Sequence, residues 1–157
     1  MADHDDILIA LRRITRAIDL RSRQLLKETG LTAPQLVVIQ TLRRYGPMPA
    51  SALARQVSLS QATISTILDR LGKADLVSRA RGDADRRIVT VTLTNKGKDS
   101  ADSAPELLQA GFMDRLEKLE DWERHMLVAA LQRIAAMMDA GDIDAAPFLE
   151  VGDIVRN

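Results

Sequence analysis

Two apolar stripes separated by a turn of only two residues constrain this chain more than any other feature. Leu53, Ala54 and Val57 form the first, within residues 50–57. Ile64, Ile67, Leu68 and Leu71 form the second, recurring at i, i+3, i+4 and i+7 along one face of a helix. Ser58 and Leu59 lie between them, and Ser60 is suited to cap the second helix. Two short helices joined by so brief a turn predict a helix-turn-helix. The front of the second helix is unusual. Residues 58–66, "SLSQATIST", hold six Ser, Thr or Gln side chains and no charge. An exposed helix front normally carries Glu, Lys or Arg, which form helices better.

Helical spacing sets Ala62, Ser65, Thr66, Asp69 and Lys73 opposite Ile64, with Thr63 and Arg70 beside them and Gln61 at the N-terminal edge. Short hydroxyls and an amide let such a face sit against base edges in the DNA major groove. Gln bonds adenine in a bidentate manner, Ser and Thr bond several bases, and Ala or a Thr methyl touches thymine. A capping cluster is the alternative reading, and it accounts for Ser60 and Thr63. It leaves Ser65 and Thr66, one turn further in, unexplained.

"LVSRARGDADRRIVTVTLT" follows. Val89, Val91 and Leu93 alternate with Ile88, Thr90 and Thr92, the period of a strand. Residues 77–81 are the expected hairpin partner, with the loop at 82–86. A helix-turn-helix followed by a hairpin is a winged helix, whose hairpin lies on the DNA backbone or in the minor groove. Arg81, Arg86 and Arg87 are the loop's candidate DNA contacts, and Asp83 and Asp85 its candidate braces. Asp69 is a third candidate brace, since Arg87 could pair with either Asp69 or Asp85. A solvated turn with incidental charges is the competing reading of the loop.

Longer helices flank this module. Residues 6–28 carry Ile7, Leu11, Ile14, Ile18 and Leu25 on one seam, and Gly30 ends the helix. "TAPQ" at 32–35 is a capping box that starts a helix carrying Leu36, Ile39 and Leu42. Thr94 caps a helical region expected over 95–119 and kinked at Pro105, and a final helix is expected over 122–140. From Gly141 the chain reads as loop. The fold class expected is mainly α with a small β-hairpin. Residues 30–97 form the winged helix-turn-helix DNA-binding domain, and 1–29 with 98–157 form a helical dimerisation region. Net charge is zero overall, but residues 1–50 carry +3, 51–98 carry +5 and 99–157 carry −8. A basic middle suits a polyanion, with chance clustering as the alternative.

Composition narrows the function. With no cysteine there is no thiol catalysis, disulfide or Cys-ligated zinc. With only His4 and His125, a histidine-built metal site within one chain is not expected. There is no Gly-rich phosphate loop and no catalytic constellation, so no catalytic residue, metal or cofactor is assigned. No apolar run approaches the roughly 20 residues of a membrane span. The acidic start "MADHDD" has no signal-peptide pattern, and a cytoplasmic location is expected. A winged helix that docks on another protein is the competing function. It would require an apolar exposed face on the second helix of the turn motif.

"SALARQVSLSQATISTILDRLGKADLVSR" and "DADRRIVTVTLTNKG" together resemble the MarR family of winged-helix transcriptional regulators, and the likeness extends over residues 7–140. The resemblance implies a triangular homodimer on double-stranded DNA and repression of a nearby operon. It implies relief by a small, often anionic effector bound between the dimerisation and DNA-binding parts. Arg12, Arg13 and Arg16 could attract such an anion, or simply be a solvated face. Arg86 and Arg87 match the family's wing arginines. Asp69 and Arg70 match its "DRL" turn, where Arg70 would meet phosphate or brace the wing. Ser58 stands where glycine is frequent, which suggests a turn without positive φ. The missing cysteines separate the chain from the family's peroxide sensors, and the scarcity of histidine argues against metal sensing.

Overall fold

The computed structural model describes residues 2–143 and 148–149. Most of the loop expected after Gly141 lies outside the described residues. The order is α1 (Ala2–Thr29), α2 (Ala33–Tyr45), β1 (Met48–Pro49), α3 (Ala50–Gln56), α4 (Gln61–Lys73), β2 (Val77–Arg81), β3 (Val89–Leu93), α5 (Asn95–Ser103), α6 (Leu108–Glu117) and α7 (Asp121–Met137). The chain is mostly helical with a small antiparallel sheet. Two compact units divide after Pro105, with Glu106–Pro147 forming the second. Among the described residues no helix is long and apolar enough to cross a membrane.

In the first unit, α1 starts four residues earlier than periodicity suggests. Asp3 and Asp5 sit in its first turn, where the helix dipole favours negative charge. It ends at Gly30, whose φ of +70° glycine adopts without strain. The Thr32–Gln35 box starts α2: the Gln35 amide donates to Thr32 Oγ1, and the Thr32 amide donates to Gln35 Oε1. Leu36, Val38, Ile39 and Leu42 turn inward from α2. They meet Leu53 of α3 and Ile64, Ile67, Leu68 and Leu71 of α4, all buried. Val91 and Leu93 complete this core from the sheet.

Strand β3 is central, with β1 on one side and β2 on the other. Val77 lies opposite Leu93 and Arg81 opposite Val89, while Met48 lies opposite Val91. Periodicity overlooks β1, because two residues after a proline carry no alternation.

Two details differ from the sequence expectations. Ser58 has φ of +57°, so the turn does require the left-handed region. Its amide bonds the Arg55 carbonyl and the Leu59 amide bonds the Ala54 carbonyl, a Schellman closure of α3. Serine holds a position suited to glycine, at a cost of about 1 kcal/mol. Asp75 repeats the arrangement after α4, with φ of +60°. Pro105 does not kink one helix; it separates two. Ala104 is extended at φ −70°, ψ 143°, as a residue before proline tends to be.

The start of α5 is fastened to the end of α4. Thr94 Oγ1 donates to the Asp75 carbonyl at 2.6 Å, and Lys96 Nζ donates to the Ala74 carbonyl at 2.9 Å. A Cβ on Gly97 would lie 2.1 Å from the Leu76 carbonyl oxygen, so only glycine fits. Further along α5, Asp102 takes a bidentate bond from Arg43 of α2 at 2.8 and 3.0 Å. That guanidinium holds the Asp102 carboxyl below the usual carboxylate range.

In the second unit, Glu120 and Glu123 form a capping box that starts α7. Neither α6 nor α7 has a buried residue. Trp122, Met126, Val128, Leu131, Met137 and Met138, along α7 and at its end, are all more than half exposed.

Candidate nucleic-acid interface

Ser60 caps α4. Its Oγ accepts from the Thr63 amide at 3.1 Å and donates to Thr63 Oγ1 at 2.9 Å. Both hydroxyls are thus engaged within the first turn, and Thr63 is half-buried. Gln61, Ala62, Ser65, Asp69 and Lys73 are exposed, whereas Thr66 and Arg70 are half-buried. Thr66 Oγ1 donates to the Ala62 carbonyl at 3.1 Å, leaving its lone pairs as acceptors. The exposed front of α4 therefore consists of an amide, a methyl, one hydroxyl and two charged side chains, Asp69 and Lys73.

The wing loop joins β2 to β3. The Gly82 amide donates to the Ile88 carbonyl at 2.9 Å, and the Ile88 amide to the Asp85 carbonyl at 3.1 Å. Asp85 then grips Arg87: Oδ1 accepts from the Arg87 amide at 3.0 Å and from Nε at 3.1 Å, and Oδ2 accepts from Nη2 at 3.2 Å. Bonds from the Arg87 side chain, and next from its amide, lower the Asp85 pKa. The Arg87 side chain stays 92% exposed, so it is oriented without being withdrawn from solvent. Arg81 Nη1 bonds the Arg86 carbonyl at 3.4 Å, and the Arg86 side chain is exposed.

Two bracing assignments change. Asp83 is exposed and makes no ion pair or hydrogen bond among the described residues, because the loop turns its neighbour Asp85 toward Arg87 instead. Asp69 does not reach Arg87; it pairs with Arg79 of β2 at 2.8 Å. Periodicity and motif spacing miss Arg79, since nothing local marks which of several arginines faces a helix ten residues earlier.

A groove of about 260 Å³ lies between α4 and the sheet. Gln61 and Ser65 line it from α4, and Arg79, Arg87 and Ile88 line it from the wing side. Ser51 of α3 adds a hydroxyl at its rim. The arrangement places hydrogen-bonding groups able to address base edges beside arginines able to address phosphate. Among the described residues no cluster of three or more His, Asp or Glu could hold a metal ion.

Comparison with known proteins agrees with this geometry. The MarR family model matches residues 31–89, the span from just before α2 to the start of β3. An uncharacterised HTH-type transcriptional regulator of Bacillus subtilis, YsmB, is 30% identical over 82% of this chain and 88% of its own. The HTH-type transcriptional repressor MdtR of the same organism is 26% identical over 59% of each chain. A MepR-like protein, solved in complex with pseudoligands, superposes with a TM-score of 0.60 at 28% identity, over 88% of this chain and 97% of that one. On these grounds the chain belongs to the MarR family and is a DNA-binding transcriptional regulator, not an enzyme.

Proposed function

We propose that this regulator is a cytoplasmic homodimeric repressor whose α4 helices read the two halves of a pseudo-palindromic operator. The carrying observation is the exposed front of α4, uncharged from Gln61 to Ser65, whose Gln61 and Ser65 share one groove with Arg87. Gln61, Ala62, Ser65 and Thr66 address base edges, with Ser60 and Thr63 holding the helix start. Arg70, Lys73, Arg81, Arg86 and Arg87 supply phosphate or minor-groove contacts. The polar front of α4 does not suit the alternative of docking on another protein.

Dimerisation rests on uncovered apolar faces. Ile7 and Ile14 of α1, Leu131 of α7 and Met138 at its end are each about half exposed or more. Exposed apolar patches of this kind mark protein–protein interaction sites. Repression is supported by the likeness to MdtR, named as a repressor.

An effector site is proposed at a cavity of about 320 Å³ lined by Glu28 and Thr29 of α1, Ser100 and Ser103 of α5, and Pro105. Glu28 is its one charged lining residue, so a neutral or cationic hydrogen-bonding molecule suits it better than an anion. Arg16 is committed to Asp19 at 3.1 Å, outside that lining.

Retardation of the duplex upstream of the protein's own gene tests the function. The expected result is a shift at nanomolar protein that specific competitor removes and random competitor does not. Equal competition by both would reject sequence-specific repression.

A further inference from the structure

DNA binding alone does not account for Asp69. Gln61, Ser65 and Asp69 follow one another at i, i+4 and i+8 on the exposed face of α4, where a polyanion would approach. A carboxylate there repels phosphate. Stability does not justify it either: Asp69 is 54% and Arg79 35% exposed, and ion pairs of that kind add little. Geometry does. Arg79 stands on β2, in register with Val91 at the centre of the sheet. Its Nη1 reaches 2.8 Å from Asp69 Oδ1. Its Nη2 lies over α4 at Gly72, where an added Cβ would come within 3.9 Å of it. The guanidinium therefore joins the sheet that carries the wing to α4, and it does so in the wall of the groove shared by Gln61, Ser65 and Arg87.

We infer that Arg79 is a positioning residue for sequence readout: held by Asp69, it sets the spacing between α4 and the wing. An element that reads bases and an element seated on backbone discriminate sequence together only if their separation is held to about 0.5 Å. Asp69 offsets its own repulsion of phosphate by fixing that spacing. The inference rests on the DNA-reading function proposed above, and its test separates the two.

Wild-type protein first selects a duplex from a random-sequence pool; that duplex and a scrambled one are the probes. Binding of Arg79→Ala, Asp69→Asn, Gln61→Ala and the Gln61→Ala/Arg79→Ala pair is measured on both at two salt concentrations. Arg79→Ala and Asp69→Asn should each lose about tenfold on the selected duplex, within the range of coupled neighbours, and less than about twofold on the scrambled one. The salt slope should not change, because no phosphate contact is removed. Gln61→Ala should cost less in the Arg79→Ala background than alone, since its register is already disturbed there. Should Arg79→Ala fail to fold, Asp69→Asn, nearly isosteric and on an exposed site, carries the test by itself. Equal loss on both duplexes with a slope shallower by about one per subunit would make Arg79 a phosphate contact and overturn the inference. Tighter binding of Asp69→Asn to both duplexes would overturn it as well, as would full retention of preference by Arg79→Ala. If wild-type protein selects no duplex, the DNA-reading function falls and this role falls with it.

Discussion

Helices α4 and α7 belong to one chain but are finished differently. α4 buries Ile64, Ile67, Leu68 and Leu71 against its own unit and leaves a polar front. α7 is richer in large apolar residues and buries none of them; Trp122 and Leu131 are 65% and 53% exposed, and Met138 just beyond it is 65% exposed. The first pattern is that of a helix whose apolar needs are met within one chain and whose remaining face suits a polar, charged partner. The second is that of a helix still lacking apolar cover. The contrast separates two jobs that composition blurs: under the proposed function α4 is assigned to DNA and α7 to a second copy.

The strongest way to break the comparison is to charge the uncovered side. Leu131→Asp in α7, or Ile14→Asp in α1, should raise the dimer dissociation constant by about 100-fold or more while the first unit keeps its fold. Sedimentation velocity at micromolar protein checks this, and an unchanged dimer would remove the distinction. Ile67→Ala is the converse. It should cost about 2–5 kcal/mol of unfolding free energy, because a buried side chain leaves a cavity. Leu131→Ala should cost the isolated chain well under 1 kcal/mol. Urea titrations of both variants at low protein concentration make the measurement.

Gln61→Ala sharpens the polar side. It should lose about 1–3 kcal/mol on the operator and little on random DNA. Arg86→Ala and Arg87→Ala should weaken both duplexes, each lowering the salt slope by about one for every phosphate it no longer neutralises. Acid should act on the braces. The folded pKa of Asp85 is lowered by Arg87, and that of Asp102 by Arg43. Their stabilising effect is present above the ordinary carboxylate pKa and is lost as pH falls through the lowered folded values. Operator affinity followed downward in pH should therefore decline for wild type through that window. Asp85→Asn should start weaker and decline less, since it has no carboxylate there to protonate. A small gain is expected at Ser58. With φ of +57° it should gain about 0.5–1 kcal/mol on replacement by Gly, a few degrees in Tm.

Much of the first unit is legible in the sequence because its signals are local. Periodicity places the turn motif and the hairpin, and Thr32, Ser60 and Thr94 each announce a helix start by side-chain chemistry. Local signals fail where packing or chain geometry decides. Serine at position 58 carries no mark of positive φ, since the closure of α3 imposes it. Pro105 could kink a helix or end one, and the extended backbone at Ala104 ends it. The site divides the same way. The front of α4 follows from helical spacing, whereas the choice of Asp85 over Asp83 depends on how the loop turns. Arg79 becomes visible only once β2 is packed against α4.

The most direct test of sequence-specific binding by a dimer is a fluorescence-anisotropy titration of the upstream duplex and a random duplex, across a salt series, with stoichiometry read at saturation. Two chains per duplex and a preference of about 10³ or more over random sequence are expected. A slope of log K against log salt near −5, for about six neutralised phosphates, is expected with them. One chain per duplex, no preference and a slope near zero would contradict it.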